Sequence, residues 1–218
     1  MTGHDSLDIA AFFNRRAQRY GDSVDALDWN SRHTQETRFR VLMEIGALKG
    51  RSVLDVGCGL ADFYAFLRKR GAKVRYTGVD LSKKLIDLAR AKHTGLDLHV
   101  ADILREDLGQ YDYVFASGIF YLKTEEAGLR ARYLIRRMFE SCRIGTAFNM
   151  LNLEYGRAHP FAEHVMAFRP SPIVRTCRQM TDYIVLRQDY FPNDFTVYLY
   201  REGYVERTGA RSGGGSSL

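Results

Sequence analysis

Apolar and polar positions recur with two periods along this chain, and the places where one gives way to the other mark its elements. From Leu7 to Tyr20, Ile9, Phe12, Phe13 and Ala17 return at helical spacing, which predicts an N-terminal helix ended by Gly21. Residues 22–28 read as a loop, and a second helix is predicted over 34–47, with Phe39, Leu42, Met43 and Ile45 on one face. The run Ser52–Val56 is short and apolar, as in a strand buried on both faces. Two glycines break it, and Phe63, Phe66 and Leu67 then resume the helical period until Gly71. Further strands are predicted at 74–80, 96–101, 111–117 and 145–153. Between them lie a helix N-capped by Ser82 and a basic helix over 123–142. Two aromatic and β-branched runs, 183–188 and 195–201, flank a Pro/Asn/Asp loop and predict an antiparallel hairpin. The whole reads as an α/β fold, a doubly wound, mostly parallel seven-stranded sheet ending in that hairpin, with N-terminal lid helices. The expected boundaries are a helical lid over 1–48, a Rossmann-like domain over 49–203 and a disordered Gly/Ser/Arg-rich tail over 204–218.

The chemistry gathers at Val53-Leu54-Asp55-Val56-Gly57-Cys58-Gly59-Leu60-Ala61-Asp62. Strand, glycine turn and helix in this order place a ligand on the backbone outside the strand's carboxyl end. The third glycine of a dinucleotide fingerprint is missing, and no Gly-Lys-Ser/Thr closes a phosphate loop. Asp55, two positions before Gly57, would repel a pyrophosphate but suits a ligand carrying a cationic amino acid. On Asp55, Gly57 and Gly59 the chain resembles the class I S-adenosylmethionine-dependent methyltransferases, with Ala61 where a third glycine is common. Strand order and the terminal hairpin agree with that resemblance over residues 50–202.

The resemblance implies S-adenosyl-L-methionine as cofactor and a set of residues to hold it. Asp80, at the end of the second strand, would accept the ribose hydroxyls, with Leu81 beside it. Asp102 would take the adenine amine, with Ile103 against the ring. Ser117, at the end of the fourth strand, would border the sulfonium. Tyr20 or Trp29 is the candidate for a cation–π contact with the sulfonium, and Arg32 for the cofactor's carboxylate. Tyr20, Tyr121 and His159 are the candidates for proton removal, and Trp29, Tyr121 and Asn149 for acceptor contact. His159 and His164 form no metal pattern, and no metal site is expected.

Composition narrows the acceptor only a little. Net charge is +6 and the isoelectric point near 9.3, but the arginines are scattered rather than gathered in one tract. The segment Ala116-Ser117-Gly118-Ile119-Phe120-Tyr121 lacks the Asn/Asp-Pro-Pro-aromatic tetrapeptide of base-methylating enzymes. A small-molecule acceptor, methylated on oxygen or nitrogen in a biosynthetic pathway, is therefore expected, with RNA methylation as the alternative. Three widely spaced cysteines without a C-x-x-C, no signal-peptide pattern and no membrane-length apolar run fit a cytoplasmic protein. Monomer and homodimer both stay open.

Overall fold

The computed structural model describes residues 4–204 and 207. Most of the expected tail lies outside the described residues. Seven strands form one sheet: β1 (Ser52–Val56), β2 (Arg75–Asp80), β3 (Asp97–Val100), β4 (Tyr111–Ala116), β5 (Cys142–Leu151), β6 (Ile184–Arg187) and β7 (Asp194–Tyr200). Their spatial order is β3-β2-β1-β4-β5-β7-β6. The first five pair in parallel, and β7 runs antiparallel between β5 and β6. The doubly wound, mostly parallel sheet with a terminal hairpin is thus the observed architecture.

Helices cover both faces because the central strands β1, β4, β5 and β7 are buried on both sides. On one face α2 (Arg32–Met43), α3 (Asp62–Lys69) and α4 (Lys83–Lys92) bury Phe39, Phe63, Leu67 and Ile86 against Val53, Tyr76 and Phe115. On the other, α5 (Ala127–Glu140) and α7 (Pro170–Cys177) bury Leu134, Ile135, Met138 and Ile173 against Leu54, Val114 and Phe148. The N-terminal helix α1 (His4–Tyr20) lies on α4 and on a single 3-10 turn, Val24–Leu27, in the segment expected to be loop. A short α6 (Leu153–Gly156) follows β5.

Several boundaries move for local reasons. Ser31 caps α2 through a hydrogen bond from the Thr34 amide (3.2 Å), so the helix starts at Arg32 and has ended by Met43, ahead of the expected 34–47. Residues 121–123 are not the start of α5. They pair with 164–166 instead, the Met166 amide donating to the Tyr121 carbonyl and the Lys123 amide to that of His164. The chain turns out of α5 at Ser141, so β5 begins at Cys142 rather than 145. Helix α7 was not anticipated, since Pro170 and Pro172 open it and only Ile173 and Cys177 are buried.

Candidate functional site

The carboxyl ends of β1, β2 and β4 converge on the glycine turn. Gly57 takes φ of +73°, in the left-handed region open to glycine. A Cβ there would lie 2.3 Å from Ile119 Cγ2. The amides of Gly57 and Cys58 both donate to the Val79 carbonyl, which fastens the turn to β2 (2.8 and 3.0 Å). Ala61, at the third glycine position, holds a left-handed φ of +56° despite its Cβ.

Two adjoining cavities open above this turn. The smaller, with about 80 Å³ of free volume, is lined in part by Gly57, Asp80, Leu81, Asp102, Ile103 and Ser117. The larger, about 350 Å³, is lined by Arg38, Phe120, Asn149, Phe161, His164 and Asp194 among others. Leu27, Trp29, Gly118 and Tyr121 line both, so they form the partition. Gly118 is pressed against the Trp29 ring, where a Cβ would come within 2.7 Å.

Each carboxylate has a distinct setting. Asp80 accepts from the Gly59 amide (2.9 Å) and the Ser82 amide (2.8 Å). Burial pushes its carboxyl up, against the lowering effect of these bonds. Asp102 accepts from the Ser6 hydroxyl of α1 (2.7 Å) and the Leu104 amide (3.0 Å). Asp55 does not line either cavity. It points to the α2–α3 face beneath the turn, accepts the Tyr76 hydroxyl at 2.6 Å, and is pushed up to about 7 chiefly by burial.

The other expected residues divide. Trp29 and Tyr121 stand in the partition, and Ser117 in the smaller cavity. Asn149 lines the larger cavity but braces its rim, accepting from the Gly118 amide (2.9 Å) and donating to Ser117 Oγ (3.2 Å). Gly59 lies behind Asp80. Tyr20 lies on the surface, with the guanidinium groups of Arg16 and Arg19 each 5.2 Å from its ring centre. Arg32 is exposed at the start of α2, and His159 stacks on Tyr155 with ring centres 4.2 Å apart. None of these three lines a cavity.

The structure brings in residues the pattern did not single out. Arg38, two turns along α2 from Arg32, is buried, ion-paired through Nε to Asp194 and seated 4.8 Å from the Trp29 ring centre. Asp194 is pushed up to about 6 by burial, with Arg38 opposing. His164 Nε2 lies 3.1 Å from Asp28 Oδ2, and Arg16 Nη2 is 2.9 Å from Asp28 Oδ1. Among the described residues no group of three or more His, Cys, Asp or Glu side chains could hold a metal ion. No helix there is long and apolar enough to cross a membrane.

Comparison with known proteins narrows the class. Residues 53–141 match a family described as a methyltransferase domain. The fold matches the crystal structure of magnesium protoporphyrin IX methyltransferase from Synechocystis PCC 6803 with bound SAH. The TM-score is 0.63, over 91% of this chain and 100% of that one, at 17% identity. Over residues 53–141 the chain is thus similar to a methyltransferase domain, on the Rossmann-like fold of such enzymes. In sequence it is 28% identical over 155 residues to the Mycobacterium tuberculosis protein Rv1506c, itself assigned only provisionally as a methyltransferase. That match covers 67% of this chain and 90% of the relative. It is 36% identical over 87 residues to the magnesium-protoporphyrin O-methyltransferase of Rhodobacter capsulatus, spanning 37% of this chain and only 38% of that enzyme.

The Synechocystis methyltransferase of this fold carries bound SAH. The smaller cavity has the matching donor set, with carboxylates at successive strand ends and a glycine turn that leaves the backbone open. Its free volume falls well short of the roughly 300 Å³ at which small-molecule pockets begin. The filling groups are side chains (Ile119, Leu27, Trp29) and helix α1, which holds Asp102 through Ser6. Asn14 of the same helix takes the Ser82 hydroxyl at 2.8 Å.

Proposed function

We propose that this methyltransferase acts on a small-molecule acceptor, methylating an oxygen or nitrogen nucleophile in a biosynthetic pathway. The observation that supports this best is the cavity of about 350 Å³, walled by Trp29, Phe120, Tyr121 and Phe161, which shares its partition with the cofactor cavity. Such a space suits a compact, partly apolar molecule presented across Trp29 and Tyr121. Relatives named for magnesium-protoporphyrin and for ubiquinone biosynthesis are O-methyltransferases, which favours oxygen. Three buried, unpaired cysteines fit a reducing cytoplasm.

The cofactor supplies a methyl group on a sulfonium, a good electrophile, and the chain supplies alignment and exclusion of water. Asp80 and Leu81 hold the ribose side of the smaller cavity, and Asp102 and Ile103 the adenine side. Gly57 and Gly59 let the ligand approach the backbone, with Asp55 contributing negative potential from below. Arg38, fixed by Asp194 and Trp29 on the wall of the larger cavity, is a buried guanidinium on the acceptor side.

RNA methylation is the second reading, favoured by the net charge of +6. Two of the four arginines of α5 are used internally, however. Arg137 donates to the carbonyls of Ile103 and Glu106 (3.0 Å each), and Arg130 to Ser6 Oγ at 2.9 Å. Only Arg132 and Arg136 remain fully exposed on that helix. Incubating the protein with methyl-labelled cofactor and, in parallel, a low-mass cell extract or total RNA tests the assignment. Label in the low-mass fraction supports it, and label in RNA alone, or in neither, overturns it.

A further inference from the structure

One cluster of titratable groups lies at the partition without a part in cofactor binding. Asp28 sits at the end of the 3-10 turn in a left-handed conformation, φ +59°. A non-glycine residue keeps such a backbone where its surroundings over-determine it. Two separate elements meet its carboxylate. Arg16 of the lid helix pairs with Oδ1 at 2.9 Å, and His164 Nε2, from the segment after β5, lies 3.1 Å from Oδ2. The Tyr121 hydroxyl is buried without a hydrogen-bond partner on the same cavity wall, its phenol held neutral first by burial and then by the Asp28 charge. Asp28, Tyr121 and His164 all line the larger cavity.

We infer that Asp28 and His164 form the proton-accepting pair for a hydroxyl acceptor, and that the lid helix completes this pair through Arg16. The inference rests on the small-molecule reading above. With Asp28 as hydrogen-bond acceptor, Nε2 carries the imidazole proton and Nδ1 keeps the lone pair. The acceptor's O–H bond breaks, its electron pair stays on oxygen as the nucleophile, and the proton forms an N–H bond at Nδ1. The resulting imidazolium faces the Asp28 carboxylate, which stabilises it. Because the His164 side chain is 48% exposed, it can release the proton to bulk water after each turnover. Tyr121, held in the neutral form, is a positioning donor at the partition and not the base. His159 stacks on Tyr155 away from both cavities, so the proton-accepting role falls to the histidine five residues later.

Chemistry and cofactor binding are read separately in the test. In the intact protein, Asp28→Asn should slow the labelling assay with the low-mass fraction several-fold at pH 7 and, like His164→Gln, recover at alkaline pH, because either substitution breaks the pair. With a phenolic acceptor, the labelling assay with the low-mass fraction should slow about tenfold or more at pH 7 in His164→Gln, and recover toward about pH 10, where a phenol ionises unaided. S-adenosylhomocysteine affinity should stay within about twofold, because His164 does not line the cofactor cavity. Wild-type labelling at every pH by Asp28→Asn or by His164→Gln overturns the pair while leaving the small-molecule reading intact. No label in any low-mass fraction overturns that reading, and the pair with it.

Discussion

Replacing Asp55 by Asn probes the electrostatics beneath the glycine turn. Asp55 is 3% exposed and receives the Tyr76 hydroxyl at 2.6 Å. Burial lifts its carboxyl from 3.8 to about 7, the Tyr76 hydrogen bond opposes this, and Asp80 and Asp62 add repulsion. A folded-state value above the unfolded one means that the folded protein retains a proton the unfolded chain has already released. Stability is therefore full below about pH 4 and declines as pH rises toward 7, after which it stays low. At about 1.4 kcal/mol per pH unit, the penalty reaches roughly 1.5 kcal/mol at pH 5 and roughly 4 kcal/mol at pH 8. Asn keeps an acceptor for Tyr76 and adds a buried amide N–H group that costs about 1–2 kcal/mol, but that cost does not change with pH. The difference between variant and wild type should move by about 3 kcal/mol in favour of the variant between pH 5 and pH 8. Asp80 and Asp194 also titrate upward, yet both proteins carry them, so to first order they cancel. Urea unfolding at pH 5, 6, 7 and 8 measures the difference. A value constant to within about 0.5 kcal/mol would show that the Asp55 carboxyl is not lifted, and the reasoning would fail.

Other substitutions test separate parts of the site. Gly57→Ala forces a Cβ into a left-handed backbone 2.3 Å from Ile119, which should cost about 2 kcal/mol or more in thermal unfolding and weaken S-adenosylhomocysteine binding. Arg38→Gln leaves Asp194 buried without its counter-charge, a loss of about 3 kcal/mol at pH 8. With the Asp194 carboxyl already at about 6, that deficit should shrink at pH 5, where it protonates, and equal deficits at both pH values would contradict the pairing. Ser6→Ala removes the lid's hold on Asp102, so amide exchange across α1 should speed up and stopped-flow association of S-adenosylhomocysteine should rise several-fold. Unchanged association would mean that the lid does not limit entry.

The strands and their succession along the chain were legible because buried parallel strands leave short apolar runs, and glycines at 57, 59, 71 and 109 punctuate them. Asp80 and Asp102 could be picked out because each ends such a run. Arg38 was missed as a polar position in a helix read by its apolar face. Its signal was spacing, since Gln35, Arg38 and Phe39 share one side of α2 and all are buried. Asp28 and His164 lie 136 residues apart and meet only through the pairing of 121–123 with 164–166, which leaves no local pattern. Helix α7 buries just two residues one turn apart, too little for a period to show.

Calorimetric titration of the purified protein with S-adenosylhomocysteine, repeated on Asp80→Ala, tests the cofactor site most directly. Asp80 alone among the strand-end carboxylates both lines the smaller cavity and fastens the Gly59 amide at 2.9 Å. Micromolar binding by the intact protein, weakened about a hundredfold or more in the variant, is the predicted result. Equal binding by both proteins, or none by the intact one, would contradict the placement of the cofactor at this turn.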